Sequence, residues 1–314
     1  MSSVQEINRR IKAVSSTSKI TRAMELVSAT KMRRSQEIAL LSRPYAFQAL
    51  RLLGEIHRRT TYRPEIMRPR EIKKTAIVLA ASDRGLAGPF NTSVFQVFER
   101  RLKPEIKELS RYRFIAVGRK SEEYLHRTGL PPHQVFKDFG DYADLEEVRP
   151  LTDFLIQGFI KREWDRVVVV STHFRSTLRQ DVLVREVLPV KIENVIQTVR
   201  ELIPERGRFA GFGTAEEMET ILNPAVKDFE YLIEPTREKV LDELIPQLVG
   251  IELYDLILEA NASEHSARMV AMKNASDNAE ELEGELTIEY NKSRQAGITR
   301  EISEIVSGTE ALTM

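Results

Sequence analysis

Apolar and small residues recur at alternating steps of three and four near the end of the chain, at Met272, Ala275, Ala279, Leu282 and Leu286, and again at Ile298, Ile302 and Ile305. That period predicts the narrow seam of a coiled coil, not the wide stripe of a globular helix. Ser263 to Val306 contains no proline and only two glycines, so one long helix is expected there. The pattern can be followed back to Thr236, which follows Pro235 and suits an N-cap. Pro246 falls inside it and predicts a kink or break near Leu244 to Ile245. At about 1.5 Å per residue, a helix over 236–308 spans roughly 110 Å, so it needs a partner helix or has to project.

A second helical pattern covers residues 4 to 58, with Ile7, Ile11 and Val14, then Ile20, Met24 and Val27, then Ile38, Leu41 and Tyr45. Pro44 predicts a kink or an interruption, and the small residues Ser15 to Ser18 allow another helix to approach closely.

Between these ends the texture changes. After a proline-bearing linker over 60–74, the continuous apolar runs TAIVLAAS, RFIAVG, WDRVVVVSTHF and DVLVREVLPV alternate with helix-like TSVFQVFERRLKPEIKEL, RKSEEYLHRTG and LTDFLIQGFIKREW. Strands apolar on both faces, alternating with helices, predict an α/β layer with a largely parallel sheet between about 73 and 195. Residues 197–230 fit no clear pattern; a loop or peripheral helix is expected, then a short strand at DFEYLIEP. The division expected is therefore 1–59 for the N-terminal coiled-coil helix, 73–230 for a Rossmann-like α/β domain inserted between the helices, and 236–314 for the C-terminal coiled-coil helix.

Charge adds to this picture. Lys and Arg together number 47, as do Asp and Glu, so the formal charge is zero. Yet residues 1–59 are strongly basic, whereas Asp277, Glu280, Glu281, Glu283, Glu285 and Glu289 crowd the C-terminal helix. A basic end and an acidic end in one neutral chain suggest that the two ends meet. There is no cysteine, which excludes disulfides, thiolate metal sites and thiol regulation. No apolar run approaches the length of a membrane span, and the first residues lack a signal-like apolar core.

Motifs with catalytic connotations are weak. The turn Ser82 to Asn91 follows a strand and opens a helix, where phosphate could bind, but Gly85 and Gly88 match neither the dinucleotide nor the P-loop spacing. A structural turn is the favoured reading and nucleotide binding the alternative. The triplet Asp138 to Gly140 lacks the other kinase motifs, and in Gly211 to Gly213 the third glycine is missing. Asp138, Asp141 and Asp144 lack the EF-hand spacing, so a solvated acidic loop is favoured over a cation site. The five histidines stand apart, and no nucleophile motif occurs. The basic cluster Lys31 to Ser35 has no interleaved aromatics, which argues against nucleic acid. No catalytic, cofactor or metal residue is assigned. The polar interruption Asn291 to Thr299 is the most suggestive feature: it breaks a sustained seam, and Arg294, Gln295 and Thr299 cluster there as candidate partner contacts.

INRRIKAVSSTSKITRAMELVSATKMRRSQ near the start, SDRGLAGPFN in the middle, and ASEHSARMVAMKNASDNAEEL with TIEYNKSRQAGITREISEIVSG at the end resemble the gamma subunit of the F-type ATP synthase. The resemblance is dense at both termini and thin in the centre. It implies a central-stalk rotor with no active site and no cofactor. In that family the N- and C-terminal helices form an antiparallel coiled coil that enters the hexamer of alpha and beta subunits, while the α/β domain sits at the foot with the epsilon subunit and the membrane c-ring. Proton-driven rotation then cycles the beta subunits through their states. By the same resemblance Arg294 and Gln295 match a pair that hydrogen-bonds a beta-subunit loop, with Thr299 in the same patch. Met24 matches the position where the N-terminal helix faces that region, and Ile302, Ile305 and Val306 fall at the shaft tip in an apolar bearing. Ser293 and Gly297 depart from the alanines expected beside the pair. With no transit peptide, a bacterial protein peripheral to the cytoplasmic face of the plasma membrane is expected.

Overall fold

The computed structural model describes residues 4–191 and 233–313, apart from some side chains within 40–58 and beyond 305. The 197–230 segment and most of the strand expected at DFEYLIEP lie outside the described residues. The chain forms two compact units, Met1–Ala29 with Arg268–Met314, and Thr30–Ala267. Two long helices, α1 (Val4–Arg59) and α5 (Arg237–Thr313), supply the whole first unit and part of the second.

Neither helix breaks at its proline. Pro246 removes one bond of the α5 ladder and costs about 3 kcal/mol. Leu241, Ile245, Leu248 and Val249 around it are all buried, and each such side chain returns roughly 1.5–3 kcal/mol. Tertiary burial therefore overrides the local preference, and the break expected near Leu244 to Ile245 does not occur.

In the two-helix unit, antiparallel α1 and α5 meet along positions three and four apart. Ile7, Ser18, Thr21 and Ser28 are buried on α1, and Met272, Ser276, Ala279 and Leu286 on α5. The hydroxyls of Ser18 and Ser276 lie 3.5 Å apart, a close approach that only small side chains permit. The α1 seam thus runs through serines and threonine. Ile20 and Val27, expected on it, face outward, Ile20 at 60 % exposure, and on α5 so does Leu282 at 44 %. Among the described residues, α1 carries local ion pairs in this unit, Arg10 with Glu6 and Arg22 with Glu25.

The second unit is built on five strands in the order β3-β2-β1-β4-β5. These are β1 (Thr75–Ala80), β2 (Tyr112–Val117), β3 (Gln134–Phe136), β4 (Arg166–Ser176) and β5 (Arg179–Leu188). The first four are parallel, and β5 returns antiparallel along β4. Alternate residues feed two cores. Ala76, Val78, Ile115 and Val169 pack with α4 (Leu145–Ile160), α5 and the end of α1. Ile77, Leu79, Phe114 and Val168 pack with α2 (Phe90–Val97) and α3 (Arg119–Arg127). Period-2 side-chain direction explains how one run of apolar residues serves both faces. The helix expected to run on from Thr92 instead widens into a π-turn over Phe98–Leu102 and then tightens into a short 3-10 turn, Lys103–Glu105, that contains Pro104.

Candidate partner-contact surface

Leu286 is the last buried residue described on α5. Beyond it Tyr290, Ser293 and Gly297 are half-buried at steps of three and four, so the geometry of the seam persists while its chemistry turns polar. Ser18 opposite Ser276 fixes the antiparallel register, which sets Val4 level with about residue 290. Among the described residues no α1 position therefore stands opposite the helix from about 291 onward.

The candidate contacts fall on that projection. Arg294, Gln295 and Thr299 are exposed, and Gln295 and Thr299, four apart, share a face. Ile302 is 56 % and Ile305 67 % exposed, with Ile298 and Ile288 also outward. The side chain of Val306 lies outside the described residues. A single helix that presents isoleucines and an arginine to solvent stabilises neither itself nor a core, because such exposed apolar area gains only when another surface covers it. Met24 lies elsewhere: it is half-buried on the α1 seam, level with about residue 270. That is some two dozen residues, or roughly 36 Å of helix, from Arg294, so the structure does not join it to the Arg294 patch.

The other motifs have structural partners. At the turn after β1, Ser82 N donates to Asn91 Oδ1 at 3.0 Å and Asn91 Nδ2 to Ser82 Oγ at 2.8 Å, which closes the turn on itself. Leu86 and Gly88 take positive φ there, 64° and 52°. Asp83 accepts the backbone N–H of Arg119, at the start of α3, at 2.8 Å and that of Asp138 at 3.0 Å. Its carboxylate thus occupies the N-terminus of α3, where a negative charge is favoured. The three aspartates do separate work. Asp138, at φ 59°, pairs with Arg119, Asp144 caps α4 by accepting from Glu147 N at 2.9 Å, and Asp141 takes Lys31 and His265. His173 meets Glu259 at 2.7 Å in the core. In the basic cluster Lys31 pairs with Asp141 and Arg34 with Glu37.

Burial alone would raise the Asp141 carboxyl. The hydrogen bond from Lys31, with the positive charges of His265, Lys31 and Arg84, outweighs it and holds the group below the ordinary carboxylate range. Sequence reading missed this residue as a meeting point. Its partners at 31 and 265 are remote in sequence, and only the fold brings them together.

Comparison with known proteins places the chain. The family model for ATP synthase matches residues 3–312. The ATP synthase gamma chain of Roseiflexus castenholzii is 37 % identical over 315 residues, covering 99 % of each chain. That of Opitutus terrae is 37 % identical over 310 residues and 98 % of each. Among solved structures, a chain of the Euglena gracilis mitochondrial ATP synthase (OSCP/F1/c-ring, rotational state 3) superposes with a TM-score of 0.63 at 17 % identity, over 98 % of this chain and 94 % of that one. One from the Tetrahymena thermophila central stalk and c-ring gives 0.55 at 21 %, over 82 % and 99 %. At those identities the structures establish a shared fold, and the closer sequence relatives establish kinship. The chain belongs to the ATP synthase gamma chain family.

Proposed function

We propose that this chain is the central-stalk rotor of an F-type ATP synthase: a non-catalytic subunit that turns inside a hexamer of alpha and beta subunits. Its α/β unit would engage the epsilon subunit and the c-ring of the membrane sector. The observation that carries the reading is α5 beyond about residue 290, which among the described residues has no α1 position opposite it and turns Ile298 and Ile302 outward, where a surrounding protein sleeve would cover them.

On this reading Arg294, Gln295 and Thr299 contact a beta-subunit loop, Ile302, Ile305 and Val306 run in the apolar bearing, and Met24 makes a separate contact lower on the two-helix unit. A rotor acts by differential contacts: each orientation favours a different state of each beta subunit, and only such differences shift populations. No helix among the described residues is long and apolar enough to cross a membrane, which suits attachment to the cytoplasmic face of a bacterial plasma membrane through other subunits.

Co-expression with alpha and beta subunits, followed by size-exclusion chromatography and an ATPase assay, tests the proposal. The expected result is a stable hexamer holding a single copy of this chain, with hydrolysis dependent on it. A chain that elutes outside the hexamer, or a hexamer indifferent to it, would overturn the reading.

A further inference from the structure

The loop from Asp138 to Asp141 touches both long helices near the point where they leave the α/β unit, whose boundaries fall at Thr30 and Ala267. From α1, Lys31 forms an ion pair with Asp141 Oδ2, and Ser35 Oγ donates to the Asp141 carbonyl at 3.1 Å. From α5, His265 Nε2 stands 3.1 Å from Asp141 Oδ1, and Asn261 Nδ2 donates to the Gly140 carbonyl at 3.1 Å. The loop itself is pinned, by Asp83 at Asp138 N and by Glu147 Oε2, which accepts from Gly140 N at 3.2 Å.

On α5 the polar contacts come from two separate faces. Asn261 and His265 reach this loop. About a third of a turn around the helix, Glu259 meets His173 at 2.7 Å and Arg185 at 3.7 Å, and Ser266 Oγ donates to the Thr177 carbonyl at 2.7 Å. The surrounding apolar core gives α5 affinity but little preference of angle, because hydrophobic burial is non-directional. Hydrogen bonds and ion pairs prefer particular angles and therefore fix rotation about the helix axis.

We propose that the Asp138–Asp141 loop is the key that fastens the stretches of both long helices lying within the Thr30–Ala267 unit to that unit's sheet, with Asp141 as the positioning residue that fixes their rotation there and transmits torque. The assignment rests on the rotor reading, and it gives a role to two motifs, the Ser82 to Asn91 turn and the Asp138 to Gly140 triplet, that partner contacts at the far end of α5 do not use.

The test uses complexes of this chain with alpha and beta subunits, held to a surface through the hexamer. A bead is attached to a biotin acceptor peptide inserted at the exposed β4–β5 hairpin tip beside Leu178. Angular variance is recorded while the rotor pauses for ATP. Asp141→Ala should widen it about twofold, since charge-assisted bonds are about twice as strong as the neutral contacts left behind. ATP hydrolysis by the same complexes should stay unchanged. Lys31→Met, which leaves the loop intact, supplies the same comparison should Asp141→Ala fail to assemble. A variance equal to that of the unmodified chain in either assembled variant overturns the proposal. A bead on the unmodified chain that never turns under ATP would instead overturn the rotor reading beneath it.

Discussion

At Asp141 one carboxylate carries contacts from two helices, and its charge state sets their strength. Its pKa is lowered on folding, so its contribution to stability is complete above the ordinary carboxylate value of about 4 and is lost as pH falls through the lower folded value. In urea unfolding, the advantage of the natural chain over Asp141→Asn should shrink steadily as pH falls below about 4. An advantage undiminished at pH 3 would contradict the ion pairing. Gly158 is constrained by sterics instead. A Cβ there would lie 1.9 Å from Cζ2 of fully buried Trp164, whose indole N–H is held by the Leu155 carbonyl at 3.0 Å. Gly158→Ala should therefore cost about 1–3 kcal/mol, read as a lower Tm. Arg294 has the opposite profile. Exposed on the projection, Arg294→Ala should leave the unfolding of the isolated chain within about 0.5 kcal/mol, yet lower ATP hydrolysis in assembled complexes. Equal activity would remove the contact assigned to it.

Among the elements, the long helices show what periodicity can and cannot predict. Their extent was readable because apolar residues repeat at helical spacing over many turns. The α1 seam was misread at Ile20 and Val27, because close approach selects small residues and the buried positions are Ser18, Thr21 and Ser28. The four longer strands were legible as apolar runs, but β3 is only Gln134–Phe136 and half-exposed, too short to leave a signal. Continuity through Pro246 depends on burial that no local pattern contains. The Asp141 cluster joins residues 31, 141 and 265, so no window of sequence holds it. The projection carries a testable weakness of its own. A Cβ at Gly297 meets nothing, so Gly297→Ala should stabilise α5 by about 0.5–1 kcal/mol through helix propensity alone, seen as a higher helical melting temperature by circular dichroism. A loss of stability there would mean that the glycine serves a backbone conformation other than helix.

For the molecule as a whole, two helices joined along one seam provide stiffness in the first unit, and in the second a doubly covered sheet holds its stretches of the same two helices with directional polar contacts. Stiffness of that kind suits a part that has to turn without winding up. Rotation itself is the most direct test. The chain has no cysteine, so Leu178→Cys, at a hairpin tip that is 85 % exposed, gives a unique attachment point for an optical marker. In complexes immobilised through their alpha and beta subunits, addition of ATP should drive the marker in one direction, in steps that track hydrolysis. A marker that stays fixed while ATP is hydrolysed would contradict the rotor assignment.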